Sequence, residues 1–358
     1  MFVKDSPVQR RAILTKTIPF ITVGLVAFIL YIVFFVDVNT MFSVLGQTNY
    51  LIFSVATAAT ILELFFFALT WQFFLKPLSV NVPFKNTFVY TWFSNFVDLI
   101  IPAESITGEI SRVVCVMRHD VDSGKAAASV VTHRILGMCV VAGTLTIGAF
   151  LMIALQIPLP IAMQNLTYLI ISITALFILL ALLIFNREKW AHKIAEKIAG
   201  FAGWISRGRL KTQEIKEKAN RVVSVFYESL RVFRTNPRSF VLPFTFAMTT
   251  WFFAILSYYL AFAAVGYTMD WLVVIVGYSI VVGIKAVPVG IPAEIGVSGI
   301  ALTFVFGAFG VPSSISAAAV VLIMVMTVLF RLIIGFISFQ LVGFQAMAEV
   351  EKMFSNKK

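Results

Sequence analysis

Residues 84–112 read FKNTFVYTWFSNFVDLIIPAESITGEISR. An aromatic, helix-forming run ends at the tetrapeptide Ile-Pro-Ala-Glu at 101–104, and a more polar helical pattern, 109–119, follows it. The same tetrapeptide recurs at 291–294, again between two short apolar runs. Proline removes a backbone donor and clashes with the preceding turn of a helix. Each copy therefore predicts a turn between two short helices.

The composition of the chain identifies the medium in which these helices fold. The protein has 358 residues, of which 60% are apolar and 13% charged, and its mean hydropathy is +0.95. A soluble domain is typically about half apolar and a quarter charged. Soluble, disulfide-stapled secreted and disordered proteins are therefore excluded. The sequence predicts an all-α polytopic membrane protein, with a single transmembrane domain over residues 1–358.

Long apolar runs indicate about six full transmembrane helices, since roughly 20 apolar residues cross a bilayer. We predict them at 17–36, 50–75, 125–153, 166–185, 240–265 and 314–341. Between the fourth and fifth spans, residues 187–238 contain 13 Lys and Arg against 5 Glu, with two amphipathic helix patterns. This segment is predicted to be a cytoplasmic amphipathic connector that lies partly on the membrane surface.

The distribution of basic residues predicts the orientation. The loops at 37–49, 154–165, 266–270 and 310–313 contain no Lys or Arg, whereas the N-terminus, the connector and the C-terminal tail contain 20. By the positive-inside rule, the protein is a multi-pass protein of the cell membrane with both termini in the cytoplasm. The same rule accounts for the net charge of +11 without a nucleic-acid partner, because no basic patch is interleaved with aromatic residues.

This orientation makes both interrupted segments re-entrant. Residues 76–124 must begin and end inside, and residues 266–313 must begin and end outside. Each would form a re-entrant helical hairpin, which is tolerated only where it is buried in protein or lines a cavity. A span, a hairpin and a span with one arginine thus occur twice, at 50–153 and 239–343. We predict an inverted repeat of the kind found in transporters; the alternative is a coincidence of proline-broken helices.

Ionisable side chains within these apolar runs are costly to insert and normally face a polar interior. Two interpretations are open, a polar cavity near the midplane and structural ion pairs that lock helices together. For Glu63, both stay open; for Glu104 and Glu294, their position at helix breaks favours a functional role. The residues concerned are Glu63, Asp98, Glu104, Glu109, Arg112, Arg134, Lys285, Glu294 and Arg331.

The turns also predict helix N-termini suited to phosphate. Ser105 or Thr107 can cap a helix that starts near Gly108, and Ser298 can cap one that starts at Gly299. Free N–H groups at a helix start favour an anion, and arginine grips phosphate in a bidentate fork. The predicted substrate-binding residues are Glu104, Ser105, Thr107, Glu109, Arg112, Arg134, Glu294, Ser298 and Arg331, with Glu63 and Lys285 as further candidates.

Signatures of catalysis are scarce. The sequence has no Walker loop, and its three histidines are not spaced as metal ligands. Asp120-Val121-Asp122 resembles the paired acids by which glycosyltransferases hold a metal, but a helix cap before Ser123 is the simpler interpretation. We therefore expect no catalytic residue, metal or cofactor.

The stretch 102–112, together with His133-Arg134, resembles the transmembrane region of the lysylphosphatidylglycerol synthase (flippase-like) family. The segment 292–299, the triplet Gly310-Val311-Pro312 and Arg331 resemble the family's second motif region. His133 stands where the family usually has glutamate, and Ala293-Glu294 replace a pair of glycines.

The resemblance implies movement of phospholipids or lipid-linked precursors between leaflets, with membrane lipids that carry an anionic head group as partners. A homo-oligomer or a separate synthase partner stays open. An aminoacyl-transferase domain follows in the synthase branch, and that activity is not expected of this chain. Two alternatives are a secondary transporter of a small anionic solute, which needs a closed pocket, and a membrane-embedded lipid-modifying transferase, which needs a metal-dependent donor site.

Overall fold

The computed structural model describes residues 38–100, 106–157, 160–186, 188, 192–193, 197, 212–285 and 295–343. Within these ranges every regular element is a helix, which confirms the all-α fold class. The α-helices are α1 (Val38–Gly46), α2 (Tyr50–Leu75), α3 (Phe84–Ile100), α4 (Ile106–Met117), α5 (Ser123–Ala154), α6 (Ile161–Asn186), α7 (Thr212–Thr235), α8 (Val241–Ala264), α9 (Trp271–Lys285), α10 (Ile295–Ala308), α11 (Ser313–Met324) and α12 (Phe330–Val342). Short 3₁₀ turns precede α3 and α8, at Lys76–Leu78 and Pro237–Phe240, and a π-helical stretch, Val325–Leu329, joins α11 to α12.

Four continuous helical segments are long and apolar enough to cross a membrane, so the chain is a multi-pass membrane protein. Each has between 28 and 32 residues, and a helix rises 1.5 Å per residue. They match four predicted spans. The predicted span 17–36 lies outside the described residues, and the one at 166–185 falls within α6, which is apolar over Ile161–Leu176. The four segments are Tyr50–Leu78, Ser123–Ala154, Pro237–Ala264 and Ser313–Val342.

The region before α2 corrects one expectation. Residues 37–49 were expected to form a loop, but they contain the helix α1, which packs against α11. Val44 and Leu45 of α1 lie on Ala317 and Ala318, whose small side chains allow the two helices to approach closely. The side chain of Asn49 then caps α2 by accepting the N–H groups of residues 51 and 52.

Two pairs of short helices occupy the interrupted segments. The first pair is α3 and α4, and the second is α9 and α10; the residues that connect them, 101–105 and 286–294, lie outside the described part of the chain, and so do both Ile-Pro-Ala-Glu turns. The second helix of each pair begins earlier than expected, α4 at Ile106 and α10 at Ile295. Ser298 consequently lies within the first turn of α10, and the expectation that it is the N-cap is wrong.

The helices pack around a central pair. Helix α2 lies along α8, and each of these two contacts the first helix of a short pair, α3 or α9 respectively. Helix α3 also packs against α12, and α9 packs against α5. Close approach is possible because glycines face bulky side chains there, Gly335 against Phe96 and Gly148 against Val276. The first half and the second half of the chain are thereby interleaved.

Helix α7 packs on protein, which corrects part of the prediction for the connector. Its apolar side was expected to lie partly on the membrane surface. In the structure, Tyr227, Leu230 and Phe233 are buried in the same core as α2 and α3. The helix also crosses the start of α5 at Gly124, while its opposite side carries the exposed Arg221. The other predicted amphipathic pattern, over 190–205, has its apolar positions outside the described residues.

We predict that Gly124→Ala destabilises the protein by about 1–3 kcal/mol, the usual cost of overpacking. A Cβ at this position would lie 2.8 Å from the backbone N of Phe226 and from the backbone O of Val222, so two helix backbones must separate. Gly143→Ala on the same helix is the matched control, because a Cβ there has no neighbour within 4 Å. Thermal unfolding in detergent measures both variants, and equal midpoints would contradict the prediction.

Candidate functional site

A cavity of about 360 Å³ lies within the helix bundle. Its lining comes from helices of both halves of the chain and is mainly apolar, but six charged side chains reach it. These belong to the residues that the sequence predicted at membrane depth, and the fold brings them to one place. The charged residues are Glu63, Asp98, Glu109, Arg112, Arg134 and Arg331.

Arg112 of α4 is the most enclosed of the three arginines, with 4% of its surface exposed. Its guanidinium carbon, Cζ, lies over two aromatic rings of α2, 5.5 Å from the ring centre of Phe67 and 5.2 Å from that of Trp71. Its Nη1 donates to Nδ1 of His133 at 2.9 Å. Its Nε is buried without a hydrogen-bond partner in the described structure. One edge of the guanidinium is therefore satisfied, and the other retains an unused donor.

The other two arginines have carboxylate neighbours. Arg134 Nη1 lies 3.5 Å from Oε1 of Glu109, and Arg331 Nη2 lies 3.9 Å from Oε1 of Glu63. The first pair joins α5 to α4, and the second joins α12 to α2. Both pairs line the cavity, so these four residues form ion pairs between helices and also belong to the lining of a cavity. All four side chains are partly exposed, and each compensates the charge of its partner, so removing one member of a pair would leave the other charge uncompensated.

Asp98, near the end of α3, connects the two helices of the first pair. Its Oδ1 accepts the hydroxyl of Thr107 at 2.8 Å and the backbone N–H of Gly108 at 2.6 Å. Backbone N–H groups in the first turn of a helix have no partner within that helix. Asp98 supplies the missing acceptor from the preceding helix, so it caps the start of α4 although it belongs to α3. This contact holds the short pair closed across the turn.

The same contact corrects the predicted phosphate site at the start of α4. Ser105 or Thr107 was expected to cap this helix. Ser105 lies outside the described residues, the hydroxyl of Thr107 donates to Asp98, and the N–H of Gly108 donates to the same carboxylate. Thr107 is fully buried and is absent from the cavity lining. Glu104, Ser105 and Glu294 lie outside the described residues, as do the side chains of Lys285 and Ser298.

Two residues that sequence reasoning missed also reach the cavity. Trp251 of α8 has a buried Nε1 with no hydrogen-bond partner in the described ranges, and Tyr278 of α9 packs edge-on against Tyr258. Neither stands out in a sequence with 14% aromatic residues. An unpartnered indole N–H becomes informative only when the fold shows that Trp251 lines the same cavity as Arg331.

The paired acids at 120–122 are explained without a metal. The side chain of Asp122 accepts the N–H of Gly124 at 2.8 Å and caps α5, which confirms the capping interpretation. Among the residues that the structure describes, no cluster of three His, Cys, Asp or Glu side chains is arranged to hold a metal ion.

Comparison with known proteins identifies the family. The profile of the family described as Lysylphosphatidylglycerol synthase TM region matches residues 21–335. The chain belongs to this family. The resemblance read from residues 102–112 and 133–134 is thereby confirmed, and most of the span and cavity residues lie within the matched part.

Two relatives from archaea extend the family assignment. A UPF0104 membrane protein of Methanocaldococcus jannaschii is 25% identical over 323 residues, covering 87% of this chain and 90% of that protein. A UPF0104 membrane protein of Pyrococcus horikoshii is 24% identical over 263 residues, covering 71% and 76% respectively. Both relatives are therefore similar to more than two thirds of this chain.

We predict that Asp98→Ala and Gly108→Ala each lower the stability of the protein, by about 1.5–3 kcal/mol for the loss of hydrogen bonds to a carboxylate. A Cβ at residue 108 would collide with the Asp98 carboxylate and lie 2.8 Å from the backbone O of Ser94. Because both variants break one contact, their effects in a double-mutant cycle should be strongly non-additive.

Gly307→Ala on α10 is the control for this cycle, since a Cβ there meets nothing within 4 Å. Thermal unfolding in detergent of the wild type, the two single variants and the double variant gives the coupling free energy between residues 98 and 108. Purely additive losses from Asp98→Ala and Gly108→Ala would show that Asp98 does not clamp the helix pair.

Proposed function

We propose that the protein translocates an anionic phospholipid or lipid-linked precursor between the leaflets of the cell membrane. In this mechanism the head group enters the cavity while the acyl or prenyl tails stay in the bilayer. The observation that carries the proposal is a cavity inside a membrane-spanning bundle that is lined by three arginines. Among the described residues, the lining side chains of Arg112, Arg331 and Trp251 each have a buried N–H without a hydrogen-bond partner, and Glu109 has a buried oxygen without one.

The chemistry of these donors favours a phosphate. A buried donor without a partner costs about 1–3 kcal/mol, and a ligand acceptor would recover that energy. Arginine binds phosphate through two parallel hydrogen bonds, which fixes the orientation of the group as well as its charge. The cavity, at about 360 Å³, is near the lower limit of small-ligand pockets, which is roughly 300–1,000 Å³. This size suits a head group and leaves no room for lipid tails.

The carboxylates in the cavity lining balance the charge of the arginines. Three arginines face three acids, so that no net charge is buried when all are ionised. A phosphate would compete with Glu109 for Arg134 and with Glu63 for Arg331, because each carboxylate is held at 3.5 Å or more. Because the phosphate would replace a carboxylate at each arginine, the net free energy of binding would stay small. Weak binding allows the head group to be released on the opposite side of the membrane. Glu104 and Glu294, in the turns, belong to the proposal as groups that shape the cavity or exchange protons.

The proposal includes an inverted repeat of two re-entrant hairpins, and helix packing supports it. The main contacts of one half correspond to those of the other when four exchanges are made. The exchanges replace α2 by α8, α3 by α9, α4 by α10 and α5 by α11–α12, and the reverse. Thus α3 against α12 becomes α9 against α5, and α2 against α5 becomes α8 against α11. The contact of α2 with α8 maps onto itself, which is expected for the two elements nearest a two-fold axis.

A soluble-anion transporter is the second candidate, and the small volume of the cavity favours it. It would use the same arginines for a free phosphate or phosphate ester. Uptake of radiolabelled glycerol 3-phosphate into proteoliposomes separates the two, because the lipid mechanism predicts no accumulation of the soluble compound.

We predict that the exposed loop at residue 47 faces outward and that α7 faces the cytoplasm, as the positive-inside rule requires. In a background with Cys115 and Cys139 replaced by alanine, Gln47→Cys and Arg221→Cys place single thiols at exposed positions. A membrane-impermeant maleimide applied to intact cells should label the thiol at 47 and label the thiol at 221 only after lysis. The reverse pattern would invert the proposed orientation.

We predict that the purified protein accelerates leaflet exchange of a fluorescent anionic phospholipid in proteoliposomes. The double variant Glu63→Gln/Arg331→Gln removes one ion pair without leaving a lone buried charge, and its exchange rate should fall by about tenfold, equivalent to 1.4 kcal/mol. Arg221→Gln, on the exposed side of α7, is the control and should retain the full rate. Absent exchange in the wild type, or full exchange in the double variant, would contradict the proposal.

A further inference from the structure

His133 is buried on α5, where it precedes Arg134 in the sequence and forms a hydrogen bond with Arg112 of α4. The hydrogen bond from Arg112 Nη1 reaches His133 Nδ1 at 2.9 Å. A guanidinium has five donors and no acceptor, so Nδ1 must be the acceptor. The ring is therefore neutral, with its proton on Nε2.

The surroundings hold the imidazole and the guanidinium in one relative orientation. The ring of His133 meets Phe67 edge to face at 4.4 Å between centres. Phe67 also lies under the guanidinium of Arg112, together with Trp71. Trp71 is itself fixed by a hydrogen bond from its Nε1 to Ser129 Oγ at 3.1 Å. The aromatic rings and the hydrogen bond to His133 therefore both restrict the position of the guanidinium.

This arrangement determines which edge of Arg112 is available. Nη1 is committed to His133, while Nε lacks a hydrogen-bond partner within the described residues, and the side chain lines the cavity. The Nε edge of a guanidinium is one that binds a phosphate through two parallel bonds. Arg331 also has an unpartnered Nε, but its Nη2, like Nη1 of Arg134, lies within 4 Å of a carboxylate, and Arg112 has no such carboxylate in the described structure.

We propose that His133 is a positioning residue: it holds Arg112 so that the Nε edge faces the cavity as the first anchor for the phosphate of the head group. This inference rests on the proposed use of the cavity for a phosphate-bearing ligand, and it assigns His133 a role that acts through Arg112. A neutral acceptor orients the guanidinium without neutralising it. A carboxylate in the same place would instead compete with the phosphate, as Glu109 does at Arg134.

The test compares three replacements of His133 that differ in the acceptor offered to Arg112. His133→Asn places an amide oxygen near the position of Nδ1, His133→Leu offers no acceptor, and His133→Glu offers a charged one. Binding of glycerol 3-phosphate to the purified protein in dodecyl maltoside is measured by isothermal titration calorimetry. We expect His133→Asn to bind within about threefold of wild type, and His133→Leu and His133→Glu to bind at least about tenfold more weakly, the usual effect of one charged hydrogen bond.

A merely structural role for His133 predicts a different pattern, in which loss of affinity follows loss of thermal stability whatever acceptor is present. Equal affinities of the Asn and Leu variants, or tight binding by the Glu variant, would overturn the proposal. If His133→Leu does not fold, the comparison of Asn with Glu decides. A wild type that binds no glycerol 3-phosphate also overturns it. A wild type that binds this probe as expected but moves no lipid leaves the role of His133 supported and removes the translocation function.

Discussion

The burial of charge within a membrane-spanning bundle is the constraint on which this structure depends. Charged side chains at membrane depth are costly, and the fold collects them around one cavity instead of distributing them along the spans. The three arginines are stabilised in two ways. Arg134 and Arg331 lie beside carboxylates, whereas Arg112 lies against aromatic faces and a neutral histidine. The difference matters for function, because Arg112 has no carboxylate within salt-bridge distance in the described structure, whereas Arg134 and Arg331 each have one.

The short helix pairs make the cavity possible, since they bring helix ends into the interior of the bundle. A helix end at that depth must find partners for its free backbone groups. At the start of α4, Asp98 provides the acceptor from the neighbouring helix, and Gly108 allows the close approach that this requires. One carboxylate thereby serves the backbone and also contributes to the charge of the cavity lining. Stability and site geometry are coupled in this pair.

The sequence predicted what depends on local pattern and missed what depends on packing. Apolar run length identified the spans and the positions of both short pairs, and the cost of buried charge identified Arg112 and Arg331 as cavity residues. The ion pairs could not be predicted from the sequence, because Glu63 and Arg331 come together only when α2 packs against the final span. Cap assignment failed at Thr107 for the same reason: the competing acceptor, Asp98, belongs to another helix. The apolar side of α7 was assigned to lipid because periodicity does not distinguish a protein surface from a membrane.

Membership of the lysylphosphatidylglycerol synthase transmembrane family and the contents of the cavity together favour a lipid head group as the ligand. Electron cryo-microscopy of the protein in nanodiscs of an anionic phospholipid tests this claim most directly. The account predicts phosphate density in the cavity, within hydrogen-bond distance of Arg112 Nε, continuous with tails that leave between helices. A cavity without lipid density, with ordered lipids confined to the outer surface of the bundle, would contradict it.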